Sequence, residues 1–170
     1  MDERQTRFEE VYRETYGRIT AYAARRCADP LDAADVVAET YTIAWRKVAR
    51  LPPGPEALLW LYGIARRVAA DHRRGEAKRR ARMVELDADL AALYADPADL
   101  TAIHQVFATL KDDDRELLGL LAWEGLSHEE IAAVLGISRN AVRIRLHRAR
   151  RRFSEKLTEN DLCLPAERPL

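Results

Sequence analysis

The stretch LSHEEIAAVLGISRNAVRIRLHRARRRF, residues 126–153, decides how the second half of this chain folds. Ser127 and Glu130 have the spacing of a capping box, which marks the beginning of a helix. Gly136 stands where the chain must turn sharply, since a residue without Cβ tolerates such backbone angles best. Ser138 can cap a second helix. Two short helices joined by a tight turn predict a helix-turn-helix.

The second of these helices has two distinct sides. Its apolar stripe has spacings of four, three and four and consists of Val142, Leu146, Ala149 and Phe153. At ~100° per residue the opposite side consists of Asn140, Ile144, His147 and Arg151, with Arg143 and Arg148 flanking it. A helix anchored on one side, with polar and basic groups on the other, suits the DNA major groove. An ordinary hairpin with a solvated basic face is the alternative, but caps, turn glycine and stripe together favour a DNA-binding unit.

Apolar residues recur at spacings of three and four along the rest of the chain, and no convincing alternating strand is present. The sequence therefore predicts an all-α protein. We expect helices over about residues 4–27, 31–48, from 56 onward, 100–110 and 113–123, the last beginning with a capping box of Asp113 and Glu116. The predicted organisation is two small helical domains joined by a flexible acidic linker, with the boundaries 1–82, linker 83–99, 100–157 and tail 158–170.

The charges of the chain are unevenly distributed although they sum to zero. Residues 51–82 are rich in arginine, residues 83–130 are acidic, and the chain becomes basic again from residue 131. A single charge run is most often a solvated helix face. Two basic blocks separated by an acidic one predict two separate phosphate-facing surfaces.

Several classes of protein are excluded by what the sequence lacks. No apolar run approaches the ~18–20 residues of a membrane span, and the charged N-terminus does not resemble a signal peptide, so we expect a cytoplasmic protein. Cys27 and Cys163 are far apart and have no ligand spacing, so no metal or cofactor is expected. We find no nucleophile elbow or phosphate loop, which argues against an enzyme. The histidines are also scattered: His72, His104, His128 and His147.

The stretch WLYGIARRVAADHRR, residues 60–74, mixes aromatic and basic side chains on one predicted helix. Rings can stack on unpaired bases while arginines hold phosphates, a combination that suits single-stranded nucleic acid. The alternative is that Trp60, Tyr62 and Val68 are core residues and the arginines face solvent. For Trp60 we favour core packing, and for the arginines of residues 66–74 we favour nucleic acid.

The preceding helix carries DAADVVAETYTIAW, residues 32–45. Asp32, Asp35 and Glu39 are spaced three and four apart and form an acidic stripe beside an apolar one. Such a stripe would suit a basic helical partner, although taken alone it is more often simply solvated.

Taken together, these motifs resemble the extracytoplasmic-function (ECF) sigma factors of the bacterial sigma-70 family, over about residues 8–157. DAADVVAETYTIAW is similar to region 2.2, which in that family docks on the β′ clamp helices of RNA polymerase. WLYGIARRVAADHRR is similar to regions 2.3 and 2.4, which melt and recognise the −10 promoter element. Residues 110–152 resemble region 4, which recognises the −35 element.

The resemblance implies a promoter-specificity subunit with no catalytic site. Its expected partners are core RNA polymerase (β′ clamp helices and β flap), promoter DNA and an anti-sigma factor, with no strong sign of a homo-oligomer. It implies polymerase binding by Asp32, Asp35, Val36, Glu39, Thr40 and Trp45. It implies −10 binding by Arg50, Leu51, Pro52, Trp60, Arg66, Arg67, Asp71, Arg73 and Arg74. It implies −35 binding by Ser138, Arg139, Asn140, Arg143, Ile144, His147, Arg148 and Arg151.

Two positions depart from the family pattern. Ala38 stands where glutamine is frequent, and Arg67 stands where asparagine is frequent, so the −10 preference is expected to differ. A free-standing helix-turn-helix regulator, with the first half as a sensor or dimerisation domain, is the competing hypothesis. It leaves the aromatic and basic helix unused, and the long apolar seam expected of such a dimer is absent from the sequence.

Overall fold

The structure of the chain, a computed structural model, describes residues 3–86 and 102–160, without the side chains of residues 80–86. These residues form seven α-helices and one 3-10 turn, with no strand among them, which confirms the all-α prediction. The helices are α1 (Glu3–Arg26), α2 (Pro30–Arg46), α3 (Glu56–Leu86), α4 (Ala102–Ala108), α5 (Asp112–Ala122), α6 (His128–Leu135) and α7 (Arg139–Glu159). The chain divides into two compact units, Met1–Ala95 and Asp96–Leu170.

The predicted linker, residues 83–99, begins within a helix. Helix α3 continues through Leu86, four residues into that segment. The remainder of the linker, residues 87–99, lies outside the described residues, as does the tail from residue 161 with Cys163. Among the helices of the described ranges, none is both long and apolar enough to cross a membrane.

Helices α1, α2 and α3 pack around the core of the first unit. Ile19, Tyr22, Val36, Leu61 and Tyr62 have no exposed surface, and the rings of Tyr22 and Tyr62 lie 5.3 Å apart between centroids. Burial of large apolar side chains at three- and four-residue spacings is what drives an amphipathic helix onto its neighbours. The core therefore fixes which faces of α2 and α3 remain available for function.

The turn between α2 and α3 is tied down at its start. After the 3-10 turn (Val48–Arg50), Leu51 buries its side chain, and its carbonyl oxygen accepts a hydrogen bond from the Arg7 guanidinium of α1. Gly54 has φ of 57°, a left-handed conformation that favours glycine. The segment 52–55, which precedes α3, is thus anchored at its first end by Leu51.

The predicted helix-turn-helix is present with the expected caps. Ser127 Oγ accepts from the Glu130 amide at 3.2 Å, and the Glu130 carboxylate accepts from the Ser127 amide at 2.7 Å. Gly136 ends α6 with φ of 67°, and Ser138 Oγ accepts from the Ala141 amide at 3.1 Å to begin α7. These bonds satisfy amide groups that a helix start otherwise leaves without partners.

The apolar stripe of α7 also faces inward as predicted. Val142, Leu146 and Ala149 are buried, and Phe153 is partly buried with its ring edge-on to Phe107 at 5.7 Å. This side of α7 packs on α4, α5 and α6, so its opposite side is left facing solvent.

The capping box predicted at Asp113 and Glu116 is wrong. Helix α5 begins at Asp112, Lys111 occupies the cap position, and no side chain caps the helix. Asp113 therefore lies inside the first turn, where a carboxylate is favoured by the positive end of the helix dipole rather than by a cap bond.

A part-buried ion pair joins α5 to α7. Both carboxylate oxygens of Asp114 lie 2.8 Å from Arg152 Nη1, and the Asp114 side chain is only 11% exposed. A buried carboxylate costs free energy unless a charge and hydrogen bonds compensate it. Arg152 provides that compensation, so the pair fixes α7 against its support.

Candidate nucleic-acid interface

The outer face of α7 is the most coherent candidate surface. The eight residues predicted to face the −35 element are all exposed: Ser138, Arg139, Asn140, Arg143, Ile144, His147, Arg148 and Arg151. They run along α7 from its N-cap to Arg151, opposite the buried side of the helix. This arrangement lets a recognition helix lie in a groove about 12 Å wide.

Hydrogen bonds within this surface orient several of its side chains. Asn140 Oδ1 accepts from the Arg143 guanidinium at 3.0 Å. Arg139 pairs with Glu129 of α6 at 3.2 Å, and Arg151 pairs with Glu155 at 2.7 Å. The hydrogen bond that Arg151 donates to the Glu155 carboxylate, together with the charge of that carboxylate, raises the pKa of the exposed Arg151 guanidinium. These pairs are exposed, so DNA phosphates can compete for the same guanidinium groups.

His128 is a member of this surface that the motif reading missed. It lines a shallow cavity of about 370 Å³ together with Arg139, Asn140 and Arg143. His128 is the first residue of α6, and its approach to the start of α7 follows from the turn at Gly136. The spacing of α7 alone gives no signal of this contact.

The residues predicted for the −10 element fall on two sides of α3. Trp60, Arg67, Asp71 and Arg74 are spaced seven, four and three apart and share one side, on which all but the partly buried Trp60 are exposed. Arg74 pairs with Asp71 on this side. Arg66 and Arg73 are spaced seven apart and partly buried, and their Nε atoms are enclosed without a hydrogen-bond partner. They lie on the side of Tyr62, toward α1, so the predicted set is not one surface.

Leu51, one of the predicted −10 contacts, lies in the core of the first unit. It is 4% exposed, and its carbonyl accepts a hydrogen bond from Arg7. Its neighbours remain available, since Arg50 is exposed and Pro52 is partly exposed. Leu51 therefore anchors the segment that the neighbouring residues present.

Two of the residues predicted to bind polymerase are also core residues. Val36 and Thr40 have no exposed surface, and Thr40 donates its hydroxyl to the Val36 carbonyl at 2.6 Å. A partner cannot touch them without opening α2 from its neighbours. Asp35, Glu39 and Trp45 are exposed, so these three of the predicted residues are accessible on the surface of α2. Asp32, the first residue of the acidic stripe, is partly exposed.

Glu39 connects the acidic stripe of α2 to α3. One of its carboxylate oxygens lies 3.2 Å from His72 Nε2. The sequence gives no signal of this pairing, because the two residues are 33 positions apart. The acidic stripe of α2 is therefore joined to α3 by a direct side-chain contact.

An open apolar groove of about 490 Å³ runs between α1 and α2 and includes Tyr12, Tyr16, Ala34, Ala38 and Tyr41. Aromatic rings dominate it, with Tyr12 and Tyr41 centroids 4.6 Å apart. Burial raises the pKa of Tyr41 to about 12, although its hydrogen bond with Thr15 acts in the opposite direction. The Ala38 position, which departs from the family pattern, helps to keep this groove open.

The chain matches two protein families, Sigma-70 region 2 over residues 11–79 and Sigma-70, region 4 over residues 100–153. It is 30% identical to RNA polymerase sigma factor CarQ of Myxococcus xanthus over 165 residues, which is 95% of each chain. It is 30% identical to ECF RNA polymerase sigma factor SigF of Caulobacter vibrioides over 146 residues, 85% of this chain and 82% of SigF. The chain belongs to the ECF sigma factors of the sigma-70 family.

Two further comparisons extend this result. The sigma factor is 32% identical to the probable RNA polymerase sigma factor RfaY of Xanthomonas campestris pv. campestris over 166 residues, 86% of this chain, but it spans only 41% of RfaY. Its fold matches the structure of CnrH in complex with the cytosolic domain of CnrY, with a TM-score of 0.65, 29% identity, and coverage of 92% of this chain and 90% of CnrH. Region 2 corresponds to α1–α3, and region 4 to α4–α7.

Proposed function

We propose that this sigma factor directs core RNA polymerase to promoters by recognising −35 and −10 elements, and that it has no catalytic site of its own. The observation that carries the proposal is α7, whose buried stripe leaves one continuous outer face of polar and basic side chains. Its action is placed in the cytoplasm because its proposed partner is RNA polymerase on promoter DNA.

Recognition of the −35 element is assigned to Arg143, His147 and Arg148. Arginine presents a planar fork of donors that suits the two major-groove acceptors of guanine. A good bidentate contact of this kind discriminates between bases by ~1–3 kcal/mol. Arg139 and Arg151 lie at the two ends of the face, where contacts with backbone phosphates fix the register of the helix.

Recognition of the −10 element is assigned to the exposed side of α3 and to the segment before it. Trp60, Arg67 and Arg74 line that side, and Arg50 and Pro52 flank the anchored Leu51. Extruding a base costs a few kcal/mol, which stacking and edge contacts must offset. A segment held at one end by Arg7 suits this task, because little conformational entropy remains to be lost when it binds.

Docking on core polymerase is assigned to Asp35, Glu39 and Trp45 of α2, with Asp32 at the edge. Both carboxylates are exposed and present negative charge to solvent, although Glu39 also contacts His72, so a basic helix on the β′ clamp would gain complementary charge. Trp45, near the end of α2, adds exposed apolar area, and its ring lies 5.1 Å from that of Phe8 between centroids. Region 4 is assigned to the β flap by the family resemblance alone.

Control by an anti-sigma factor is the last element of the proposal. It is supported by the likeness to CnrH, a structure of which contains the cytosolic domain of a second protein, CnrY. It is also supported by the open apolar groove between α1 and α2, which offers a helical segment an apolar seat. Deletion of a gene adjacent to that of the sigma factor should raise transcription from its promoters. Failure of every neighbouring deletion to do so would contradict this element.

Dependence on core polymerase separates this proposal from a free-standing regulator. Band-shift assays on promoter fragments selected by the holoenzyme should show tight binding only when core polymerase is present. Equally tight binding by the chain alone would favour the regulator. The Asp35→Lys, Glu39→Lys double variant provides the control, because it should lose promoter binding through loss of core polymerase while α7 remains intact.

A further inference from the structure

The centre of the α7 outer face is apolar. Ile144 lies about 160° around the helix from the buried Val142, so it points almost directly away from the core. It is 42% exposed, and among the described residues of α7 it is the only exposed large apolar side chain. Asn140 precedes it by one turn, and His147 and Arg148 follow it by one turn.

The chemistry of this position differs from that of its neighbours. A branched aliphatic side chain can neither donate nor accept a hydrogen bond, so it cannot read the polar edge of a base. Thymine alone among the four DNA bases presents a methyl group in the major groove, and apolar side chains recognise it by contact. The contact is favourable because it buries apolar surface of both the side chain and the methyl group. The polar edge of a cytosine at the same place would be desolvated without gaining a hydrogen-bond partner, which costs free energy.

We propose that Ile144 is a specificity-determining residue that recognises the methyl group of a thymine within the −35 element, on either strand. This inference rests on the proposed function, because it requires α7 to enter the major groove at that element. The flanking Asn140, Arg143 and His147 then fix the base pairs on either side, so that the thymine lies between two hydrogen-bonded contacts.

The size of the effect follows from the area of one methyl group. Loss of one buried methyl group weakens binding about fourfold, taking a methyl as equivalent to one methylene group. The charge of the protein does not change when Ile144 is truncated, so the salt dependence of binding should stay the same. A phosphate-contacting arginine would instead reduce that salt dependence by about one counterion.

The test replaces thymine by deoxyuridine, which removes only the methyl group. The full chain with core RNA polymerase first selects −35 sequences from a promoter library randomised there. Each thymine of the selected element, on both strands, is then replaced singly by deoxyuridine, and holoenzyme binding is measured by competition. Wild type should bind about fourfold more weakly at one or two positions. For Ile144→Ala the thymine and deoxyuridine promoters should bind equally.

Ile103→Ala is the matched control, because Ile103 is 43% exposed on α4, outside the helix-turn-helix. This variant should keep the fourfold difference. If wild type selects a −35 element but binds every deoxyuridine promoter as tightly as the thymine promoter, the methyl contact is overturned and the proposed function is not. Persistence of the difference in Ile144→Ala would overturn the assignment to this residue. Failure of wild type to select any −35 element would overturn the proposed function together with this inference.

Discussion

Removal of Arg152 should loosen the recognition helix from its support. The variant Arg152→Ala leaves the Asp114 carboxylate, 11% exposed, without the guanidinium that lies 2.8 Å from both of its oxygens. Breaking a fully buried pair costs ~3–5 kcal/mol, whereas an exposed pair contributes less than ~1 kcal/mol. Because Arg152 is 47% exposed, we expect an intermediate loss of about 2 kcal/mol.

Amide hydrogen exchange measured by mass spectrometry resolves where this loss falls, since it reports the local free energy of opening. A loss of about 2 kcal/mol corresponds to exchange about 30-fold faster. The faster exchange should appear in α5 and α7 and should be absent from α1–α3. The adjacent variant Arg151→Ala is the control, because its pair with Glu155 is exposed and should change exchange little.

A second variant separates the buried charge from simple loss of packing. In the double variant Arg152→Ala, Asp114→Asn a neutral amide replaces the uncompensated carboxylate, so part of the lost protection from hydrogen exchange should return. Unchanged exchange in Arg152→Ala would refute the importance of the pair. Equal acceleration in α1–α3 would show that the variant acts on the whole chain rather than on the contact between α5 and α7.

Three other predictions concern the first unit. The double variant Asp35→Lys, Glu39→Lys should be captured much more weakly by core polymerase in a pull-down, while its helical circular dichroism spectrum stays unchanged. Undiminished capture would contradict docking through α2. We expect Arg67 to contact a phosphate, so Arg67→Asn should weaken binding to all promoter sequences equally and reduce the salt dependence of binding by about one counterion. A changed base preference at the upstream edge of the −10 element would instead indicate a base contact. The raised Tyr41 pKa favours the neutral phenol in the folded state. This preference stabilises the fold fully below pH ~10, and roughly 3 kcal/mol is lost as the pH rises from ~10 through the folded pKa of about 12. Tyr41→Phe loses the 2.9 Å hydrogen bond with Thr15, so in urea unfolding at pH 7 it should be less stable than wild type by ~1 kcal/mol. Above pH 10 this difference in unfolding free energy should shrink, because only wild type has a phenol to ionise. A difference independent of pH would contradict this prediction.

The second unit was largely predictable because its signals are local. Ser127, Gly136 and Ser138 act through bonds and backbone angles within a few residues, and a single helical period separates the buried Val142 from the exposed Ile144. Neither a distant partner nor a rearrangement is needed to place these side chains. The same periodicity reading was sufficient for the order and type of the helices.

The capping box at Asp113 and Glu116 was a local error, since α5 begins one residue earlier, at Asp112. The other placements that the sequence did not indicate depend on long-range packing. The burial of Leu51 could not be predicted, since a connecting segment has no periodicity and its anchor, Arg7, lies 44 residues away. The pair of Asp114 and Arg152 could not be predicted either, because the two residues are 38 positions apart in the sequence. Thr40 was different, because its place on the inner stripe of α2 already indicated the burial that the structure shows.

Run-off transcription is the most direct test of the central claim. Purified chain and bacterial core RNA polymerase are incubated with a pool of genomic promoter fragments, and the transcripts are sequenced with core polymerase alone as the control. The account predicts transcripts that require the chain and whose start sites share one −35 and one −10 element at constant spacing. Transcripts identical with and without the chain, from a preparation that retains its helical fold, would contradict it.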